Sequence, residues 1–343
     1  MARKTRMNSI TSAEKTARIN PNNMRLKDDF LNYLRSLQRS DSTIKGYDND
    51  LLIVFTYIME SLKNKDFHKL TKRDIISLQN WLVSNGNSSA RIRRVKSTIS
   101  SLSNFCESIL ADDDPDFEGY RSIVRKIENP VNQPVREKTV FTEDQIQHLL
   151  DTLVERRQFD KACAVALALY SGRRKAELLR FRVSDFDDDH IVCDGALYKS
   201  DPIKTKGRGV EGKPLNCFCL AKRFKPYLDL WMNDRRERKT ESEWLFPDKA
   251  NPSEQMGVST MNSWAKSFTA ILGVDFYWHA MRHMTVTNFK RAGIPDTVIQ
   301  QYIGWSDISM VPVYSDMAAD EQLSMYFNKD GIVIPEAKGL ADL

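Results

Sequence analysis

The chain has 343 residues, 41% hydrophobic and 28% charged, with 51 Lys+Arg against 46 Asp+Glu for a formal charge of +5. That length and balance suit two ordinary globular domains with real cores, and so mild a net charge does not by itself mark a nucleic-acid binder; the distribution of charge must. No apolar run approaches the roughly 20 residues of a membrane span, and the basic start is not followed by an apolar signal region, so an intracellular protein without a membrane partner is expected.

The polar, basic residues 1–23, with Pro21-Asn22-Asn23 read as a stop, suit a flexible arm along a phosphate backbone, or equally a tail without a partner. From 24 to 110 the apolar period is helical. Leu26, Phe30, Tyr33, Leu34 and Leu37 define one helix. Ile44, Tyr47, Leu51, Leu52, Phe55 and Ile58 define a second, capped by Ser42 or Asp41. A third starts at Thr71 and ends by Gly86, and a fourth follows Ser88-Ser89. This is a four-helix module. Arg91, Arg93, Arg94 and Lys96 crowd the start of its fourth helix, and Thr43 and Lys45 the start of its second. These six, together with Arg208 further along the chain, are the candidate DNA contacts, with a solvated charged face as the bland reading.

Two Pro-containing polar stretches, Asp112–Asp116 and Asn129–Pro134, mark 111–140 as an interdomain linker carrying one short helix from Tyr120 to Ile127. A second domain then spans 141–327. Thr142 with Gln145 reads as a capping box, and Ala162 to Tyr170 is apolar nearly all round, as in a central buried helix. It runs into Ser171-Gly172-Arg173-Arg174-Lys175-Ala176-Glu177, where Arg174 and Glu177 are spaced to pair. The helical period lapses from Asp185 to Leu220. Ile191–Cys193, Leu197–Lys206 and Leu215–Leu220 read as three strands of a small antiparallel sheet, whose Gly207–Gly212 hairpin carries Arg208 and is flanked by Lys204 and Lys206. Cys217 and Cys219 flank Phe218 on one strand, and with Cys106, Cys163 and Cys193 read as buried reduced thiols rather than metal ligands.

Helices resume at 221–238, 259–272, 279–292 and 295–302. His279 and Arg282 share a helix face three residues apart, and Gly304-Trp305 precede Tyr314. A short helix from Ala318 to Phe327 follows, anchored by Leu323, Met325, Tyr326 and Phe327, and 328–343 is a tail.

Taken together, the box around Arg174, the string His279-Ala280-Met281-Arg282-His283, Gly304-Trp305 and Tyr314 resemble, in order and spacing, the boxes of the tyrosine recombinases or phage integrases. The module with Ser42–Tyr47 is similar to their SAM-like core-binding domain. The resemblance implies a mainly α fold with a small antiparallel sheet and a catalytic C-terminal domain, clamping duplex DNA in a C shape. It implies that Tyr314 attacks the scissile phosphate to give a 3′-phosphotyrosyl link, and that recombination passes through a Holliday junction without ATP, metal or cofactor. Arg174 and Arg282 would then hold the phosphoryl oxygens, and His279 would assist proton removal or hydrogen-bond the phosphate. Lys204, or alternatively Lys206, would protonate the leaving oxygen, Trp305 would donate its indole N–H and pack the site, and Glu177 would support Arg174.

The implied partners are duplex recombination sites, three further copies of the chain joined by exchange of C-terminal helices, and accessory directionality factors. The implied setting is the DNA of a prokaryotic cell or phage. A simple recombinase acting on short core sites is favoured over an integrase that needs distant arm sites. Two alternatives stay open: a type IB topoisomerase-like or hairpin-forming enzyme, and a non-catalytic DNA-binding protein of the same fold.

Overall fold

The protein is described by a computed structural model covering residues 10–131, 139–207, 212–328 and 331–332, which fall into two compact units divided between 131 and 139.

The first unit contains α1 (Ala13–Ala17), α2 (Pro21–Ser36), α3 (Asp41–Ser61), α4 (Lys72–Ser84) and α5 (Ser89–Phe105). Pro21 starts a helix instead of stopping the chain: it occupies the first turn of α2, where its missing N–H is not needed, and the Asn20 side chain accepts from the Asn22 N–H at 2.9 Å. Ile10 and Ile19 are buried in one core with Phe30, Leu51 and Phe55. The expected arm is therefore corrected over 10–23, which belong to the folded unit; residues 1–9 lie outside the described residues. Ser40, rather than Ser42 or Asp41, is the N-cap of α3. Thr71 and Asp74 form a capping box on α4, and the Ser88 side chain caps α5.

The expected linker also differs. Phe117, Tyr120, Ile123 and Val124 are buried in this same core, and the expected helix from Tyr120 to Ile127 is a turn. Glu107 fixes it, accepting from the Ser122 N–H at 3.2 Å and from Arg125 Nη2 at 3.0 Å, and Lys126 adopts φ 65°.

The second unit opens with α6 (Glu143–Glu155), whose Thr142–Gln145 capping box is present. The central helix α7 (Phe159–Ser171) is buried from Ala162 to Leu169 and ends at Gly172, which adopts φ 61° where a Cβ would fall 2.5 Å from Ile303 Cδ1. Then come α8 (Lys175–Leu178), β1 (Ile191–Val192), β2 (Leu197–Lys199), β3 (Ile203–Thr205), β4 (Lys213–Leu215) and β5 (Phe218–Leu220). They form two sheets, β1-β2-β5 and β3-β4, both antiparallel, in place of the single three-stranded sheet expected. The break comes at Ser200–Pro202 opposite Asn216–Cys217. There Ser200 Oγ accepts from the Cys217 N–H and Asn216 Nδ2 donates to the Ser200 carbonyl, side chains replacing ladder bonds, and Pro202 has no N–H to give.

The remaining helices are α9 (Ala221–Glu237), α10 (Val258–Leu272), α11 (Trp278–Arg291), α12 (Asp296–Ile303), α13 (Met310–Tyr314) and α14 (Ala319–Ser324), before the short pair β6 (Phe327–Asn328) and β7 (Gly331–Ile332). Both α9 and α11 pack along α7. Four cysteines are buried; Cys193 is exposed, correcting the expectation for that one, because it sits at φ 55° in the turn after β1. Among the described residues, no helix is long and apolar enough to cross a membrane.

Candidate active site

The turn at Gly172 sends two adjacent arginines in different directions. Arg173 goes inward, donating from Nη1 to the Ile303 carbonyl at 3.1 Å and from Nη2 to the Tyr302 carbonyl at 2.6 Å. It thereby closes the C-terminal end of α12, whose last carbonyls have no helical partner. Arg174 turns to Glu177: its Nη1 donates to Oε1 at 2.9 Å and its main-chain N–H to Oε2 at 3.0 Å. Glu177 Oε2 also lies 3.9 Å from Arg282 Nη1, so one buried carboxylate stands between two guanidiniums. Burial pushes its carboxyl up, but the Arg174 N–H and the charges of Arg174 and Arg282 outweigh that and hold it below the ordinary value.

Arg282, in the first half of α11, is 0% exposed, and its Nε, Nη1 and Nη2 have no hydrogen-bond partner among the described residues. Its guanidinium carbon lies 4.9 Å from the Trp305 ring centroid and 5.5 Å from that of Tyr314. Burial, and then the Arg174 charge, bring it down to about 9, so it remains a cation at neutral pH. Trp305 follows Gly304, which ends α12 at φ 73°, and its buried Nε1 is likewise without a partner among the described residues.

Tyr314 is the buried last residue of α13. Its ring centroid lies 4.8 Å from that of Trp305, 5.1 Å from that of His279 and 4.6 Å from that of His283, on which it stacks. The fold thus gathers Arg174, Glu177, His279, Arg282, Trp305 and Tyr314, which lie far apart in sequence, into one packed group. His283 was not singled out as a site residue, although its signal was present: it stands four residues after His279 on the same helix. Tyr302 is part of the scaffold, its hydroxyl donating to the Tyr170 carbonyl.

Lys204 and Lys206 are exposed, on β3 and one residue beyond it, outside this packed group. They face away from buried Ile203 and Thr205, and Lys204 pairs with Pro214 across the hairpin. Gly207 and Gly212 close the hairpin base, where a Cβ on Gly207 would fall 2.6 Å from the Lys213 nitrogen. The expected contact Arg208 lies outside the described residues.

In the first unit, Thr43 and Lys45 are exposed, with the Thr43 hydroxyl 2.9 Å from Ser40 Oγ. The α5 cations are used internally more than expected. Arg91 and Arg94 both pair with Asp50, a carboxylate 1% exposed on α3. Arg93 donates from Nε and Nη2 to the Pro130 carbonyl, at 3.0 and 2.8 Å, and Lys96 Nζ donates to the Ile127 carbonyl. Lys96 is buried, and burial lowers its pKa. One of its three donors is thus engaged by the returning segment 127–130.

Apart from this site, Asp185, His190 and Asp201 bring three ligand-type groups within 4.8 Å of one another. Bonds within the loop account for that geometry: Asp185 accepts from the Arg182 and Asp201 N–H groups at 2.7 and 2.9 Å, and His190 Nδ1 lies 2.7 Å from Asp187.

A cluster of arginine, histidine and indole packed on a buried tyrosine, in a helical domain with a small sheet, is the arrangement expected of a tyrosine recombinase. Comparison with known proteins agrees. Residues 139–321 match the model of the phage integrase family, and residues 28–108 that of the phage integrase N-terminal SAM-like domain. The SPbeta prophage-derived recombinase-like protein YomM of Bacillus subtilis is 32% identical over 254 residues, covering 72% of this chain and 73% of that protein. A tyrosine recombinase of Thermosipho africanus is 25% identical over 312 residues, covering 85% and 95%. In fold, the chain is similar to the XerH recombinase in a post-cleavage complex with palindromic difH substrate, with a TM-score of 0.64 at 13% identity over 93% of this chain and 91% of that one. It is also similar to a lambda integrase tetramer bound to a Holliday junction, with a TM-score of 0.62 at 15% identity over 85% and 77%. The chain belongs to the phage integrase family and is a site-specific DNA recombinase.

Proposed function

We propose that Tyr314 is the nucleophile and that Arg174 and Arg282 hold the scissile phosphate. The observation that carries this reading is the Arg282 guanidinium, wholly buried and without a hydrogen-bond partner among the described residues, packed over the ring of Tyr314. A buried cation with unmet donors is unfavourable unless an anion completes it, and a phosphate does so with charge-assisted bonds that strengthen as negative charge develops. Trp305 Nε1 adds a neutral donor. His279, edge-on to Tyr314, takes or shares the phenolic proton. Lys204, or Lys206 beside it, protonates the departing 5′-oxygen from the mobile-length side chain such a step needs. Arg91, Arg93, Arg94 and Lys96, with Thr43 and Lys45, are the DNA contacts of the first unit. Arg94 is the most exposed of its group, and Asp50 fixes the direction of Arg91 and Arg94.

The working assembly is a tetramer on two duplexes, linked through the C-terminal helix α14, with accessory proteins setting direction and the cell's DNA as its location. Leu323 and Tyr326, exposed in the single chain, support a docking role for this end of the chain.

A trapping assay tests the reading. Wild type and Tyr314→Phe are incubated with a pool of nicked genomic or element-end DNA, resolved on a denaturing gel, and the attached DNA is sequenced. A protein–DNA adduct formed by wild type and not by the variant is expected. An adduct of equal yield in both overturns the assignment of Tyr314, and tight binding without any adduct leaves a DNA-binding protein.

A further inference from the structure

One face of α11 carries His279, His283 and Thr287 at successive four-residue steps, and the chain around the nucleophile docks against that stripe. His279 meets the Tyr314 ring edge-on, with centroids 5.1 Å apart and planes at 72°. His283 stacks on the same ring at 4.6 Å and 24°. The His283 Nδ1 lies 3.2 Å from the Tyr314 carbonyl oxygen and 3.7 Å from Asp316 Oδ1. Thr287 Oγ1 accepts from the Asp316 N–H at 2.9 Å.

The geometry points to His283 as a positioning residue for Tyr314, holding the nucleophile by its ring face and by its own main-chain carbonyl. This inference rests on the proposed role of Tyr314. A carbonyl oxygen only accepts, so Nδ1 carries the hydrogen in this bond, and the neighbouring Asp316 carboxylate, whose side chain is 6% exposed, favours that arrangement. The imidazole therefore fixes two coordinates that matter for in-line attack: ring contact sets the tilt of the phenol, and the Nδ1–H bond sets the main chain that carries it. Thr287 fixes the chain two residues further on. His283 needs no contact with the phosphate for this role; His279, one turn earlier, and Arg282, the residue before it, supply that. A displacement of about 1 Å at a reacting atom costs on the order of a hundredfold in rate, which is the effect at stake.

The test uses the full-length chain and a nicked synthetic duplex bearing the sequence recovered by trapping. Four variants, His283→Ala, His283→Asn, His283→Gln and Tyr314→Phe, are compared with wild type. Read-outs are melting temperature, DNA affinity, and the single-turnover rate of adduct formation at saturating protein. Asn places its amide N–H near the position of Nδ1, whereas Gln reaches toward that of Nε2. His283→Ala is expected to bind DNA as wild type does and to form adduct about a hundredfold more slowly. His283→Asn is expected to recover at least about tenfold of that loss, and His283→Gln to stay slow. Wild-type rates in His283→Ala, or equal rates in the Asn and Gln variants, overturn the inference, as does a parallel loss of DNA affinity. The Asn–Gln comparison decides the matter even if the alanine variant fails to fold. Adduct formation by Tyr314→Phe instead overturns the underlying assignment of the nucleophile.

Discussion

Arg282 is the residue at which stability and function pull hardest in opposite directions. Its charge is desolvated, its three nitrogens lack hydrogen-bond partners among the described residues, and Glu177 offsets it only from 3.9 Å. Replacing a buried ion pair by apolar side chains is often neutral or stabilising by about 1–4 kcal/mol, whereas removing one partner so that a buried charge is left unpaired costs about 3–5 kcal/mol. Glu177 keeps its 2.9 Å bond to Arg174 Nη1, so loss of Arg282 strands no charge. Arg282→Met is therefore expected to melt no lower than wild type without DNA, while adduct formation disappears. A fall of several degrees in melting temperature would show that the guanidinium supports the fold rather than waiting for an anion. At this scale the sequence was informative where chemistry is carried by spacing: His279 and Arg282 share a face because they are three apart, and Arg174 and Glu177 pair for the same reason. It was uninformative where a partner arrives from elsewhere in the chain. Nothing near Lys96 announces that the Ile127 carbonyl takes its ammonium, and nothing near His283 announces that residues 314–316 settle against it.

Elements follow the same division. Helices with strong apolar periods and side-chain caps, such as α4 behind Thr71 and α6 behind Thr142, were legible because their signals are local. The strands were less so, because β2 ends where Ser200 and Asn216 side chains replace ladder bonds. The start of α2 was misread because Pro21 serves both to begin helices and to end segments, and the choice depends on Asn20, Asn22 and a distant carboxylate. Asp66 Oδ1 accepts from Asn20 Nδ2 at 2.9 Å and from Asn22 Nδ2 at 3.1 Å, while Lys69 Nζ donates to Oδ2 at 2.6 Å. The Lys69 bond first, then Asn22, lower the Asp66 carboxyl from 3.8 to about 2. A carboxyl depressed in the folded state contributes stability that is present above its unfolded pKa and lost as pH falls through the folded one. The tie at the head of α2 is thus complete above about pH 4 and lost progressively toward pH 2. Asp66→Asn keeps an oxygen for Asn20 and Asn22 but removes the charge and the acceptor of Lys69, and is expected to destabilise the first unit at neutral pH by on the order of 1 kcal/mol. It should also flatten the acid limb of the stability curve between those pH values. Urea titrations across the range check this; an unchanged acid limb would assign the loss to other carboxylates.

For the whole molecule, the proposal to test is the assembly, in which copies of the chain are joined on two duplexes. The end of the chain bears on it. In the described structure α14 is tied to its own unit by the Arg291 Nε–Glu321 Oε1 pair at 2.6 Å, an exposed contact of the kind worth at most about 1 kcal/mol. Leu323 and Tyr326 are 55% and 43% exposed, so the single chain gains little by burying them. Placing charge on such positions changes monomer stability by no more than about 0.5 kcal/mol, whereas the loss of an apolar anchor from an interface costs about 2 kcal/mol or more, over tenfold in affinity. The double variant Leu323→Glu, Tyr326→Glu is accordingly expected to melt as wild type does and to form adduct on a single site at an unchanged rate. Its yield of exchanged products from two sites should fall at least about tenfold, with loss of the slowest-migrating complex on native gels. Undiminished exchange would place this end of the chain on its own subunit and remove the helix link from the assembly. Undiminished relaxation of supercoiled DNA, with no exchange by either protein, would favour the topoisomerase-like alternative. The stability measurement keeps these outcomes apart from unfolding, because a variant that melts normally has kept the contacts on which its own fold depends.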